Sequence, residues 1–192
     1  MRKIITKKEP MFIESLNYIK DSKKYIFLII FSFVASFLIG LAFSDSFGFL
    51  DPLLEEFVKE TDGLGTFGMI WFIFTNNLFS SFFGLVLGIF LGVFSLFNAL
   101  LNGLVVGYVY SKASLIGGYG IFWQLLPHGI FELPAIFISL GLGVKLGMFV
   151  FANEKKKTFF YRLKKSVKTF FVIVVPLLAV AAVIEGILIT LT

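Results

Sequence analysis

One histidine and one glutamate stand four residues apart in an otherwise apolar part of this sequence. His128 and Glu132 lie in residues 126–134, which read LPHGIFELP. On a helix this spacing places both side chains on one face, where imidazole and carboxyl can exchange a proton or share a ligand. Pro134 has no backbone N–H, so the carbonyl of Ile130 loses its helical partner. The pattern predicts either a site for protons, a cation or a water, or a hydrogen-bonded helix start.

Few other polar groups interrupt the apolar sequence. Those that do are Asn76, Asn77, Asn98, Asn102, Gln124, Lys145 and Glu185. A charge at the centre of a membrane helix costs about 2.5–3.5 kcal/mol on insertion scales, so such groups face protein or water. We therefore expect one buried polar cluster that contains Asn76, Asn77, Asn102, His128, Glu132 and Glu185. Lys145 lies near the end of its apolar run, and its long stem lets the ammonium reach the membrane surface.

The residue inventory narrows the chemistry further. The chain has no cysteine, which excludes disulfides, thiol catalysis and cysteine-ligated metals. One histidine and two nearby glutamates are too few for a convincing metalloenzyme site, so we expect neither a metal nor a cofactor. An intramembrane hydrolase that uses His128 and Glu132 stays as the weakest of three functional hypotheses. The sequence favours a protein that is not an enzyme.

The elements that must position these residues are membrane helices. The chain is 58% hydrophobic with 27 Phe, and no charged residue occurs in the 49 residues from Gly63 to Ser111. As one helix that stretch would be roughly 74 Å long, more than twice a hydrocarbon core. We predict an all-α polytopic membrane bundle in a single domain over 1–192. Its five or so transmembrane helices are expected at residues 25–43, 75–94, 97–115, 127–152 and 169–191.

Two connections in this scheme carry specific expectations. The turn between the second and third helices is placed near Ser95. Residues 119–126, which include Tyr119 and Trp123, are too short to span and rich in interfacial aromatics, so they predict a short interfacial or re-entrant segment before the fourth helix. The first apolar run ends without a small-residue cleavage pattern, so we interpret it as a retained helix and not a signal peptide.

Charge is distributed as membrane topology requires. Residues 1–24 and 153–168 each contain seven Lys or Arg, whereas residues 44–67 hold six of the twelve acids. The positive-inside rule makes 1–24 a cytoplasmic amphipathic arm, 153–168 a cytoplasmic loop and 44–67 an external loop. Five crossings then leave the N-terminus cytoplasmic and the C-terminus external, in the cell membrane. The net charge of +5 therefore indicates an anionic bilayer as partner, and no nucleic acid is expected.

Small residues recur every four positions along the apolar runs. The clearest are Gly84, Gly88, Gly92, Gly143 and Gly147. Such stripes allow helix backbones to approach closely in lipid, where hydrophobic burial no longer drives association. We interpret them as packing surfaces, at the centre of the bundle or in a homo-oligomer seam. A transport pathway lined by glycine is the alternative.

The segment at 126–134 also carries a family resemblance. Pro127, His128, Gly129, Glu132 and Pro134 resemble the signature motif of the stage II sporulation protein M family, and Asn76-Asn77 and Asn102-Gly103 support the match. In spore formers the resemblance implies a septal membrane complex with peptidoglycan-degrading partners, although members also occur where no spores are made. It favours a non-enzymatic scaffold for a membrane- or envelope-remodelling complex. The alternative is a small transporter or channel that uses the buried Asn/His/Glu cluster.

Overall fold

The computed structural model describes the backbone of residues 9–117 and 121–191, with side chains for 9–115 and 129–189. This part of the chain is almost entirely helical, and no strand occurs in it. The α-helices are α1 (Met11–Lys20), α2 (Lys23–Ala42), α3 (Asp51–Thr61), α4 (Thr66–Val86), α5 (Val93–Gly117), α6 (Ile121–Gly147), α7 (Lys155–Thr169) and α8 (Val175–Leu191). Short 3₁₀ segments connect several of them, at Ser44–Leu50, Leu87–Ile89 and Met148–Phe151.

Five of the described helical segments are long and apolar enough to cross a membrane. They are Lys23–Ala42, Thr66–Ile89, Val93–Leu115, Gly129–Phe151 and Lys155–Ile189. The prediction of an all-helical membrane bundle with about five apolar helices is therefore confirmed.

The turn between α4 and α5 differs from the expectation. It lies at residues 90–92 and not near Ser95, and α4 begins nine residues earlier than predicted, at Thr66. Leu91 and Gly92 take positive φ values of 57° and 76°, so the backbone itself reverses there without proline or charge. Ser95 instead lies inside α5 and donates a hydrogen bond to the carbonyl of Gly84 at 2.7 Å.

The segment before the fourth apolar helix also differs. Residues 121–126 form the first turns of α6, which continues through Pro127 and Pro134 to Gly147. No separate interfacial or re-entrant piece occurs in this described stretch, and Tyr119 lies outside it. A proline removes one helical hydrogen bond, a loss that neighbouring helices can compensate in a membrane bundle.

The basic segment at 153–168 is helical as well. α7 covers most of it and passes through a π-helical turn at Phe170–Val174 directly into α8. The fifth apolar element is thus the inner part of one long helical run from Lys155. This continuity connects the basic residues rigidly to the bundle.

α6 forms the centre of the bundle. It packs against α2, α4, α5 and α8, and 61% of its apolar window is buried, against 22–33% for the other four. Leu140 and Leu142 are fully enclosed. A helix that contacts all the others can hold polar groups away from lipid on several faces, which makes it the natural carrier of a site.

The packing also fixes the relative directions of the helices. Gly103 and Gly107 of α5 lie against Phe33 and Phe37 of α2, so these two helices run parallel. By the same reasoning α4 and α6 run parallel, since Gly84 meets Leu140 and Gly88 meets Gly143.

The last apolar helix completes this arrangement. α8 runs opposite to α4, because Gly186 lies on Ile70 and Phe170, just before α8, lies on Phe82. Residues 9–24 and the basic segment 153–168 therefore lie at one end of the bundle and the acidic segment 44–67 at the other.

Candidate functional site

The glycine stripes lie between helices of the same chain. A Cβ added to Gly88 would fall on the backbone of Gly143, and one added to Gly147 would fall on the backbone at Gly88 and Gly92. At Gly84 it would meet the side chain of Leu140. α4 and α6 thus touch backbone to backbone, which leaves no pathway between these two helices at the glycines. α6 also occupies the face that a homo-oligomer seam would need.

Three polar side chains meet between α4, α6 and α8. Asn77 of α4 forms a side-chain hydrogen bond with Glu132 of α6, and Glu185 of α8 interacts electrostatically with Glu132. The Oε2 atom of Glu185 is buried and has no hydrogen-bond partner in the described part of the chain. We call Asn77, Glu132 and Glu185 the carboxyl cluster. It can hold a proton or bind a small cation, or simply join three helices.

Asn102 belongs to a different polar group. Its amide donates to the backbone and side-chain oxygens of Asn98 at 2.9 and 3.0 Å, and Asn98 donates to Ser80 at 3.3 Å. α5, which carries Asn98 and Asn102, packs mainly along α2 and turns these amides toward α4 at Ser80. In the described part of the chain the expected single cluster is therefore two groups, because Asn98 and Asn102 bond to each other and to Ser80, whereas Asn77 bonds to Glu132.

Asn76 and His128 complete the placement of the expected cluster. Asn76 is exposed on α4 and lies outside both polar groups. His128 is in the helical backbone of α6, one turn before Glu132, and its side chain lies outside the described side chains. Gly129 has space beside it up to Leu133, and Pro134 is exposed. Among the described residues no group of three His, Asp or Glu is placed to hold a metal ion.

Sequence reasoning missed an ion-pair cluster at the basic end of the bundle. Glu14 of α1 accepts hydrogen bonds from Lys165 and Lys168 of α7. These two ammonium groups lower the pKa of Glu14 from its ordinary 4.5 to about 2. Glu14 is more than 150 positions from both lysines in the sequence. The only sequence signal for this contact was the presence of an acid in one basic segment and of lysines in the other.

A second contact at this end concerns Lys145. The residue is only 9% exposed, its Nζ donates to Ser22 Oγ at 2.9 Å, and it lies 3.8 Å from the centre of the Tyr18 ring. Arg162 donates to the backbone carbonyl of Lys145 at 2.6 Å. The expectation that Lys145 extends to the membrane surface is therefore wrong. Its cation is held by a hydroxyl and an aromatic face inside the protein.

α1 docks on α7 through its polar face. Ser15 and Tyr18 are buried there, and the Tyr18 hydroxyl lies 3.3 Å from Ser166 Oγ. Burial raises the pKa of Tyr18 to about 12. The apolar residues Met11, Phe12 and Ile13 stay exposed. We call α1 with α7 the basic platform.

The acidic end has its own attachments. The Tyr108 hydroxyl of α5 donates to Asp51 at the start of α3, and Ser111 donates to Ser44 at 3.0 Å. α3 itself has no buried residue. The acidic segment is thus held at its base and at Phe57, whose ring lies 5.3 Å from that of Phe72 on α4, and most other residues of α3 are exposed.

A packed bundle of five apolar helices with charged helices at both ends defines a membrane protein. The family described as Stage II sporulation protein M matches residues 25–189. The match covers most of the chain, so the protein belongs to this family. Comparisons with curated proteins and with solved structures give no match.

Proposed function

We propose that this protein is a non-enzymatic membrane scaffold that supports a membrane- or envelope-remodelling complex. The observation that carries the proposal is the pair of charged surfaces at opposite ends of a close-packed bundle. Glu14 joins the two helices of the basic platform, and Lys145 and the continuous α7–α8 helix fix the platform to the bundle. A scaffold needs such rigid presentation on both sides of a membrane, whereas the backbone contact of α4 with α6 offers little space for a substrate.

The proposed placement is a multi-pass protein of the cell membrane with the basic platform in the cytoplasm. The relative helix directions support it, since both basic segments share one end and the acidic segment has the other. With the positive-inside rule, the N-terminus is cytoplasmic and the C-terminus is external.

The proposed partners are other membrane or envelope proteins. α3 offers them an external surface, because Leu53 and Val58 are exposed beside an acidic face. Where the host forms spores, the resemblance stated above implies peptidoglycan-degrading partners, and the family description itself names only sporulation. Partner binding on this surface requires no chemistry from the protein itself.

Site-specific photo-crosslinking in the native membrane tests the proposal. A crosslinking amino acid at Val58, which is 64% exposed on α3, should yield discrete protein adducts. The matched control is Phe31 of α2, equally apolar and 73% exposed but within the membrane, which should yield lipid adducts alone. Val58 adducts with lipid only would contradict the scaffold.

Ion transport is the second candidate, and the carboxyl cluster favours it. Glu132 and Glu185 come from different helices, and one carboxyl oxygen of Glu185 is buried without a hydrogen-bond partner among the described residues. Purified protein in liposomes should then dissipate an imposed proton or sodium gradient faster than empty liposomes, and Glu132→Gln should abolish the effect. The scaffold predicts no difference from empty liposomes.

A further inference from the structure

The elbow between α1 and α2 presents two lysines above an apolar groove. α1 ends at Lys20 and α2 begins at Lys23. Both lysines line the groove together with Ile19, Ile26, Phe27 and Ile30. A cationic rim directly above an apolar wall matches one chemical class of ligand, an acidic headgroup joined to a hydrocarbon chain.

The elbow is held in a single geometry from the inside. Ser22 is fully buried between the two lysines, donates to the carbonyl of Tyr18 at 2.6 Å and accepts from Lys145 at 2.9 Å. Lys20 and Lys23 themselves are exposed and form no ion pair in the described part of the chain. Because the backbone of the turn is already ordered, binding of an anion would require ordering only of the two lysine side chains.

Neighbouring features add to the preference for an anion. The rim coincides with the N-terminus of the 20-residue helix α2, whose dipole is positive there. Asp21, the exposed acid in the elbow, offsets only one of the two lysine charges. The groove also lies at the basic end of the bundle, where the ends of the apolar helices meet the headgroup layer.

We propose that this elbow is a binding site for an anionic phospholipid. Lys20 and Lys23 contact the phosphate, and one acyl chain lies along Ile26, Phe27 and Ile30. The apolar wall selects a lipid over free phosphate, because free phosphate would use only the two lysines. The site is separate from the partner surface proposed on α3 and does not depend on it.

Native mass spectrometry of the full chain in detergent tests the site. Phosphatidylglycerol and phosphatidylcholine with identical acyl chains are titrated, and the bound lipid is counted. The wild type should retain phosphatidylglycerol preferentially. The double variant K20Q/K23Q should bind it roughly thirty-fold more weakly. Each removed lysine charge loses one attraction to the phosphate, which corresponds to roughly five-fold in affinity.

The control variant also removes two lysine charges, but at another position at the basic end of the bundle. K155Q/K156Q changes two exposed lysines at the start of α7 and should alter phosphatidylglycerol binding less than two-fold. An equal loss in both double variants would mean diffuse attraction to the basic end and would overturn the site. Equal binding of both lipids by the wild type would overturn it as well.

A third variant separates lipid from free phosphate. Phe27 is 65% exposed, so F27A preserves the fold but shortens the apolar wall, and phosphatidylglycerol binding should fall several-fold. If millimolar inorganic phosphate displaced phosphatidylglycerol and F27A had no effect on binding, the elbow would be a phosphate site and not a lipid site. Thermal unfolding of each variant checks that folding is unchanged, and K20Q and K23Q alone provide intermediate losses.

Discussion

The side chains of Glu132 and Glu185 both lie inside the bundle, but they differ in their hydrogen-bond partners. Asn77 bonds to Glu132, whereas the Oε2 atom of Glu185 has no partner among the described residues. A buried polar group costs free energy mainly when its partner is missing. Removing these two side chains should therefore have different effects on stability.

Substitutions at the two positions test this difference. Glu132→Leu strands the Asn77 amide and should lower the free energy of unfolding by about 1–3 kcal/mol, whereas Glu132→Gln still bonds to it and should stay within about 1 kcal/mol. Glu185→Leu, the matched control, should leave the melting temperature in detergent unchanged or raise it. A larger loss in Glu185→Leu than in Glu132→Leu would show that the carboxyl cluster is held together at α8 instead.

Glu14 makes stability depend on pH at the basic platform. Its pKa falls from 4.5 to about 2 in the folded protein, so its contribution is complete above pH 4.5. The contribution decreases as the pH falls below 4.5 and is gone below about pH 2. The melting temperature of the wild type should therefore drop more steeply between pH 4.5 and 2.5 than that of Glu14→Gln. Parallel curves would mean that Glu14 does not pair with Lys165 and Lys168.

At the scale of elements, close backbone contact holds α4 to α6. Even one methyl group on Gly88 would overlap the backbone of Gly143, which cannot rotate away as a side chain can. The Ser95 hydroxyl reinforces the same place by bonding to the Gly84 carbonyl. The α4–α6 seam should thus be the part of the bundle most sensitive to added volume.

The same Gly→Ala substitution at two positions measures this sensitivity to added volume. Gly88→Ala should lower the free energy of unfolding by about 1–3 kcal/mol because the helices must separate. Gly65→Ala is the control, since no atom lies within 4 Å of the added methyl and φ is −69°. Thermal unfolding in detergent compares the two variants. Equal melting temperatures would show that α4 and α6 do not touch at Gly88.

At the scale of the molecule, the relative directions of the helices divide the chain into two ends. Asn17 and Asn153 lie exposed at the basic end and Ser46 lies exposed in the acidic segment. Because the chain contains no cysteine, a single cysteine at any of these positions reports on one side of the membrane alone.

Labelling of these three cysteine variants in intact cells tests the proposed orientation. A membrane-impermeant maleimide should label Ser46→Cys from outside, and should label Asn17→Cys and Asn153→Cys only after permeabilisation. Labelling of Asn153→Cys together with Ser46→Cys in intact cells would contradict the shared end. The reverse pattern for all three would keep the bundle and invert its orientation.

The class of protein and its family could be predicted from the sequence because they depend on local properties. An uncharged stretch of 49 residues requires membrane helices whatever its tertiary contacts, and the motif around His128 and Glu132 is continuous in the chain. Glycine spacing likewise predicts close packing, since it depends on the period of one helix.

Only the tertiary structure decided which groups meet. Glu14 pairs with Lys165, Lys145 is enclosed by Ser22 and Tyr18, and Asn102 bonds to Asn98, although nothing in their sequence neighbourhoods distinguishes these outcomes. Each contact depends on how the other helices are oriented about α6, and hydropathy contains no information on that orientation. The turn at Leu91–Gly92 was hidden for a related reason, because a change of backbone φ leaves no mark in composition.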